Sequence, residues 1–502
     1  MFFELTSLKI FLRDKIIKYR YNFAIIIIFS TSFFLRLYRL GYHDLWYDEV
    51  GTVGYARYPW GNWNAPLYWI LLHFWIKIFG ISEFSLRFPS LLFNFFSVIL
   101  VFLLGSNLFN KRTGIIASLF IGLSPFHLWY AQEARDYSMV LFFGLLSSWL
   151  LYKAIKEDKN KLWLFFILVS VMGFYTNYFY IFLFFAQFQY LIFFRRLRLN
   201  FKTITYFLII LLSFSLYLPR FFRKFYYIWG GFWIPKPEWK SLIITLENFM
   251  LGYNGFLFLY IIADILMAIF FINAFWAMHK KNDLRPGFVF CIFLFFTPIA
   301  CTFLFSKVFF SVYLDRALII FSPYFFLILS MGLFSLNRAI RAASFVILII
   351  LFLIVDYGYF KDWMFMPLTH HAGTYIKKPI RPVAKFLDNE VEPHDIIAFT
   401  NESIIPSMDF YSQRKLQPFY YFFDPKFPDS SWQRPIKESK FFIPFYKVNN
   451  LKFKRLWIVS SDWGRSGDLD ENSRSVKNWL DENYKLEFVN LFDGLWVFRY
   501  VK

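Results

Sequence analysis

Three short clusters in this sequence combine acids and bases with aromatic neighbours. The first reads Leu45-Trp46-Tyr47-Asp48-Glu49-Val50, with two adjacent carboxylates in apolar surroundings. Carboxylates beside a bilayer are costly and mark function by default. Partial desolvation raises a carboxyl pKa and makes Asp48 or Glu49 a better base. A helix cap or a membrane-edge ion pair is the structural alternative for each. The second cluster runs from Trp129 to Tyr137 and holds Glu133, Arg135 and Asp136. Those three fall within one helical turn and cannot all share a face, so at least one should point into a cavity; an intrahelical ion pair is the other account. The third is Tyr313-Leu314-Asp315-Arg316, where Arg316 heads an apolar run reaching Ser322-Pro323-Tyr324. Such an arginine either snorkels to headgroups or grips a phosphate with its forked donors.

The elements that must position these clusters are membrane helices. The 502 residues are 58% hydrophobic and 25% aromatic, with 74 phenylalanines. One aqueous core cannot hide that much apolar surface, so lipid is the solvent for most of the chain. Lipid-embedded backbone must be helical, and a span needs about 20 apolar residues. About eleven spans follow on that basis, at 22–40, 84–109, 113–130, 134–154, 161–176, 178–195, 203–219, 256–278, 287–306, 317–336 and 342–357. Ala65 to Gly80 is shorter, carries His73 and Lys77, and reads as an interfacial helix.

The charges test this layout. Net charge is +20, and Lys and Arg gather in the N-terminal stretch and in alternate loops such as Lys111-Arg112, Arg195-Arg196 and Lys280-Lys281. That is the positive-inside pattern, with a cytoplasmic N-terminus. Counting Ala65–Gly80 as a span would invert every later loop. Arg220, Arg223 and Lys224 break the pattern in an outer loop. They suit an anionic headgroup or form a solvated basic loop. The basic surplus lies between apolar runs and not on a soluble module, so nucleic acid is not an expected partner.

Residues 1–357 therefore form a transmembrane domain whose first outer loop covers about 41–83, and 358–502 form a soluble domain outside the cytoplasm. In the tail, 395–400, 456–460, 486–492 and 495–501 read as strands, and 383–391 and 473–482 as helices. Asp493-Gly494 between two strand-like runs is a strong hairpin signal. The fold class expected is a polytopic α-helical membrane protein with a small C-terminal extracytoplasmic α/β domain. Cys291 and Cys301 share one apolar run and read as inert thiols. The first apolar run lacks a cleavage site and reads as a retained anchor. The sequence contains no phosphate-binding glycine loop and no H-E-x-x-H, which leaves ATP-driven transport and zinc proteolysis unsupported.

The clusters, taken in order, resemble the GT-C superfamily of membrane glycosyltransferases, in particular the glycosyltransferase-39-like group. That group includes protein O-mannosyltransferases and lipid A aminoarabinose transferases. The matching stretches are Leu45 to Glu49, Asn64-Ala65-Pro66-Leu67-Tyr68, Ser85-Leu86-Arg87-Phe88-Pro89-Ser90, and Ser124 to His127 through Gln132 to Arg135; Arg316 to Pro323 and Lys361-Asp362-Trp363 match less closely. The resemblance implies a GT-C-like fold in the membrane of the cell envelope. It implies a polyprenyl-phosphate sugar donor, an extracytoplasmic acceptor and inversion at the anomeric carbon. It puts Asp48 in the place of the general base, with Glu49 orienting it or the acceptor. It leaves the second acid open between Glu133 and Asp136. Arg87, Arg220 and Arg316 would hold the leaving phosphate, and Arg135, Tyr68 and Tyr178 would contact substrate. No organic cofactor is implied. A divalent cation stays open, with His73 or His127 as ligands, although lone histidines are ordinarily structural. The family often has His where this chain has Asn177. The alternative function is a transporter or flippase of a lipid-linked glycan; repeated halves, which such proteins often carry, are not seen.

Overall fold

The computed structural model describes residues 2–61, 64–193, 201–229, 233–365, 374, 377–413, 418–426, 441–461 and 469–502. The chain is a multi-pass helical membrane protein with a small C-terminal α/β sheet domain. Among the described residues, seven helices are long and apolar enough to cross a bilayer: 19–37, 83–108, 137–157, 257–280, 285–308, 317–335 and 338–360. Two bent pairs raise the number to nine. The expectation of about eleven spans is corrected on two points. Asn160–Phe174 is an apolar helix of 15 residues. At 1.5 Å per residue it rises only about 23 Å, short of a hydrocarbon core of about 30 Å. The runs at 113–130 and 203–219 are not straight spans. Lys111–Leu123 meets Pro125–Ala131 at 60°, and Phe201–Ser215 meets Leu218–Trp229 at 68°. Arg195, Arg196 and Arg198 lie outside the described residues.

The first bend has a local cause. Ser124 adopts an extended conformation and its hydroxyl accepts from the His127 amide at 3.4 Å. Pro125 follows at the first helical position, where its missing N–H and fixed φ favour a new start. This break swings the chain so that residues 132–136 turn back above the bundle.

Packing follows the apolar patterning. Residues 317–335 are apolar all round, and this span is enclosed by its neighbours. A helix apolar on every face is a buried one. Gly332 permits the approach of Leu257–Lys280: a Cβ there would collide with the Phe270 carbonyl. Leu67–Phe79 is a helix of 13 residues, too short to span.

The C-terminal domain has strands β1 (Ile396–Phe399), β2 (Phe419–Phe423), β3 (Phe442–Pro444), β4 (Arg455–Ser461), β5 (Lys485–Phe492) and β6 (Leu495–Val501). The sheet order is β3-β2-β1-β4-β6-β5. The first four strands are parallel, and β6 runs antiparallel to β4 and β5. Alternation splits the sheet into two packed faces. Ile397, Phe399, Trp457 and Val459 meet the Ile380–Glu390 helix, while Ala398, Leu456, Ile458 and Phe498 meet the Glu471–Asn483 helix. The hairpin signal is realised between β5 and β6. Asp493 and Gly494 take φ of 42° and 89°, the left-handed pair that a tight two-residue hairpin demands. The expected strands and helices of the tail are present. β2 and β3 are additional to them; β2 is an unbroken aromatic run without the polar alternation that marks a half-buried strand.

Candidate active site

The first acids sit on the helix Tyr47–Arg57, with Asp48 and Glu49 in its first turn. Carboxylates are stabilised there by the helix dipole. Adjacent helical residues point about 100° apart, and these two meet different surroundings. Glu49 is fully buried. Its carboxylate accepts from Arg87 Nε at 2.8 Å and Arg87 Nη2 at 2.7 Å, and from the Ala134 amide at 2.9 Å. Lys377 Nζ lies 3.4 Å from Glu49 Oε2. Burial opposes ionisation of Glu49, but the Arg87 guanidinium and the Lys377 ammonium outweigh it and hold the carboxyl at about 2.

Arg87 stands one turn into the helix Glu83–Leu108, which Ser82 caps. Besides Glu49, its guanidinium donates to the carbonyls of Leu40 (3.1 Å), His43 (2.8 Å) and Asp44 (3.1 Å). Five N–H groups meet five acceptors. The geometry leaves Arg87 no donor for a phosphate. It makes Arg87 the clamp of the loop that carries Leu40, His43 and Asp44 instead.

Asp48 faces the other way. Its side chain is 22% exposed, and its Oδ2 lies 3.8 Å from Nη1 of Arg316. Arg135 Nη1 donates to the Asp48 carbonyl at 3.4 Å, and Arg135 Nε has no partner among the described residues. Arg316 is buried, with its guanidinium 5.5 Å from the Trp233 ring centre. Asp315 fixes the backbone beneath it. Its carboxylate accepts from Asn248 (2.7 Å), Tyr253 (2.7 Å) and the Arg316 amide (2.8 Å). Arg316 from the third cluster and Arg135 from the second both reach Asp48, so the three sequence clusters meet there.

The turn 132–136 separates the two candidate second acids. Glu133 is buried, receives Trp129 Nε1 at 3.2 Å, and its Oε1 has no partner among the described residues. Burial raises its pKa. Asp136 instead accepts from Asn177 Nδ2 at 2.8 Å. The amide at 177 thus serves as a donor to this acid. Tyr68 is fully buried and shares a hydrogen bond with the Ser90 hydroxyl at 3.0 Å, so it braces the site from behind. Tyr178 and Arg220 form a neighbouring group: Arg220 lies 5.4 Å from the Tyr217 ring and Lys224 5.5 Å from the Tyr178 ring. Lys224 also donates to the Asn64 side chain.

The histidines do not converge. His73 Nδ1 is 2.8 Å from the Ala56 carbonyl, and His127 Nε2 is 3.0 Å from the Ser322 hydroxyl. Among the described residues no three His, Cys, Asp or Glu side chains are grouped to hold a metal ion.

Sequence reasoning missed Lys377. It lies in a Tyr-Ile-Lys-Lys-Pro stretch of the tail that carries no motif, yet its Nζ donates to the Gln132 carbonyl at 2.9 Å. The tail is pinned here by further contacts. The Arg381 amide donates to Asp44 at 2.7 Å, and Tyr411 donates to Glu83 at 2.7 Å while accepting from the Leu45 amide at 2.7 Å.

Residues 64–221 match the family model described as dolichyl-phosphate-mannose-protein mannosyltransferase. Two similar solved structures are ArnT from Cupriavidus metallidurans in the apo state and bound to undecaprenyl phosphate. They are 11% and 12% identical to this chain, each with a TM-score of 0.60, covering 95% of this chain and 97% of the other. The apo oligosaccharyltransferase of Archaeoglobus fulgidus is 10% identical with a TM-score of 0.51, over 88% of this chain and 70% of that one. YkcB of Bacillus subtilis (strain 168) is 28% identical over 123 residues, which is 24% of this chain and 16% of that protein. At such identities the structural likeness establishes the fold, and the family match adds the sequence signature of the segment that carries Glu133 to Asp136. Over 95% of its length the chain shares the fold of the ArnT structures, and residues 64–221 carry the match to the mannosyltransferase model.

Proposed function

We propose that this chain transfers a sugar from a polyprenyl-phosphate carrier to a hydroxyl acceptor outside the cytoplasm, with inversion at C1 and Asp48 as general base. One observation carries the reading. A partly exposed carboxylate, Asp48, stands 3.8 Å from the buried guanidinium of Arg316, with Arg135 beside it. One open acid beside two arginines suits a reaction that consumes a proton acceptor and releases a phosphate. The acceptor hydroxyl gives its proton to Asp48 as its oxygen attacks C1. The C1–O bond to phosphate breaks, and the electron pair leaves on the phosphate. A phosphate is already a good leaving group, so cations rather than a general acid stabilise it. Arg316 is the first of those cations. It faces Asp48, and a donor phosphate competes with that carboxylate for the guanidinium. The single in-line displacement follows the logic of inverting glycoside chemistry.

The loop charges support placing this rim on the extracytoplasmic side of the cell membrane, with a cytoplasmic N-terminus. ArnT bound to undecaprenyl phosphate supports a polyprenyl carrier as donor. The test is Asp48→Asn in purified protein. Transfer should fall by about 10³-fold or more, with thermal unfolding unchanged. An Asp48→Asn protein that transfers sugar at the wild-type rate ends the mechanism.

A further inference from the structure

We infer that Lys377, at the start of the C-terminal domain, is a positioning residue of the transfer site, so that docking of that domain completes the site. The inference rests on the transfer reading above. The Lys377 side chain is 6% exposed. Its Nζ bonds the Gln132 carbonyl at 2.9 Å and pairs with Glu49 at 3.4 Å. Both contacts lead to Asp48. Glu49 adjoins Asp48 on the same helical turn. Gln132 begins the turn whose Ala134 amide binds Glu49 and whose Arg135 reaches the Asp48 carbonyl. Gln132 is itself held by the carbonyls of Arg36 (2.8 Å) and Tyr38 (2.7 Å) and by the Tyr359 hydroxyl at 2.8 Å. Lys377 is thus a strut from the soluble domain onto the turn that frames the proposed base.

Its charge also bears on Glu133. The groups facing that carboxyl are Lys377, Glu49, Arg316 and Asp48. Those facing Lys377 are Arg87, Glu49, Glu133 and His43. Burial pushes Glu133 up and Lys377 down, and each favours the charged form of the other. The buried Lys377 side chain also borders two cavities. It lines a cavity of about 290 Å³ between the first outer loop and the tail, and a narrow void running inward past Trp129; His43 and Asp362 line both. Lys377 makes no contact with reacting atoms in this account. It acts through Gln132, Glu49 and Glu133.

The experiment compares Lys377→Met, Lys377→Arg and the surface variant Lys485→Met in the full chain. Turnover is read as undecaprenyl phosphate released from undecaprenyl-phosphate mannose. The protonation of Glu133 is followed by infrared titration of its carboxyl band, assigned with Glu133→Gln. Lys377→Met should lower kcat by about 100-fold and leave donor KM within about threefold, the pattern of a misplaced catalytic group. The Glu133 midpoint should rise by about one pH unit once the cation is gone. Lys377→Arg should restore kcat to within about tenfold of wild type and return the midpoint, and Lys485→Met should change neither. Wild-type kcat in Lys377→Met, or an unmoved Glu133 midpoint, overturns the inference. Should Lys377→Met fail to fold, the infrared midpoint of Lys377→Gln decides in its place. Asp48→Asn in the same assay separates the two levels. If Asp48→Asn is dead while Lys377→Met is wild type, only the positioning role fails; if Asp48→Asn is active, the transfer reading fails.

Discussion

Two acid–arginine pairs lie on neighbouring residues of one helical turn, and they are built in opposite ways. Glu49 and Arg87 are fully buried, bidentate at 2.7 and 2.8 Å, with every guanidinium N–H engaged. Asp48 and Arg316 are 3.8 Å apart, and the acid keeps 22% of its side chain exposed. A saturated pair has no capacity left for a substrate. A long, half-open pair can exchange its partner for one. The contrast separates a saturated acid from a partly exposed one where residue type and sequence position cannot.

The largest effect expected from breaking this contrast is on stability, in the closed pair. Arg87→Met leaves Glu49 charged in a dry site and should cost about 3–5 kcal/mol, read as a lower unfolding midpoint in detergent. The double variant Glu49→Leu/Arg87→Met should be less destabilised than Arg87→Met, because the buried carboxylate is removed together with its bidentate partner. The open pair should behave inversely. Arg316→Met should reduce turnover by about 10²–10³-fold and weaken binding of undecaprenyl phosphate, with a smaller change in unfolding. Equal stability losses at both pairs would erase the distinction.

Acid sharpens it further. The Glu49 carboxyl is held at about 2 in the fold, against about 4.3 in an unfolded chain. Its contribution to stability is therefore complete above about pH 4.3 and lost as pH falls toward 2. Unfolding midpoints of wild type and Glu49→Gln, measured from pH 7 to 2, should converge at the acid end. The smallest effect belongs to the tail hairpin. Gly494→Ala places a Cβ at φ of 89° and should cost about 1 kcal/mol without touching turnover.

Much of this was legible along the chain. Long apolar runs and their flanking charges located the spans, since a lipid-buried backbone has few alternatives to a helix. Asp493-Gly494 announced its hairpin, because few residue pairs tolerate two positive φ values. The span count was read too high where runs were apolar but short, as at Asn160–Phe174, or broken, as at Pro125. Hydropathy registers composition but not the length of a straight helix. The resemblance gathered Asp48, Glu133 and Arg316 as candidates, and the structure brings Arg316 and Arg135 to Asp48.

The sequence alone determined a membrane-embedded chain with acids and arginines at one rim, because those features are local in composition and periodicity. Only the tertiary structure decided which of two adjacent acids is satisfied and which is open. A rotation of about 100° per residue sends Asp48 and Glu49 to partners that lie tens to hundreds of residues away. Arg87, Arg316 and Lys377 reach the two acids from three separate elements. That choice of partner is a property of packing, and no window along the chain contains it.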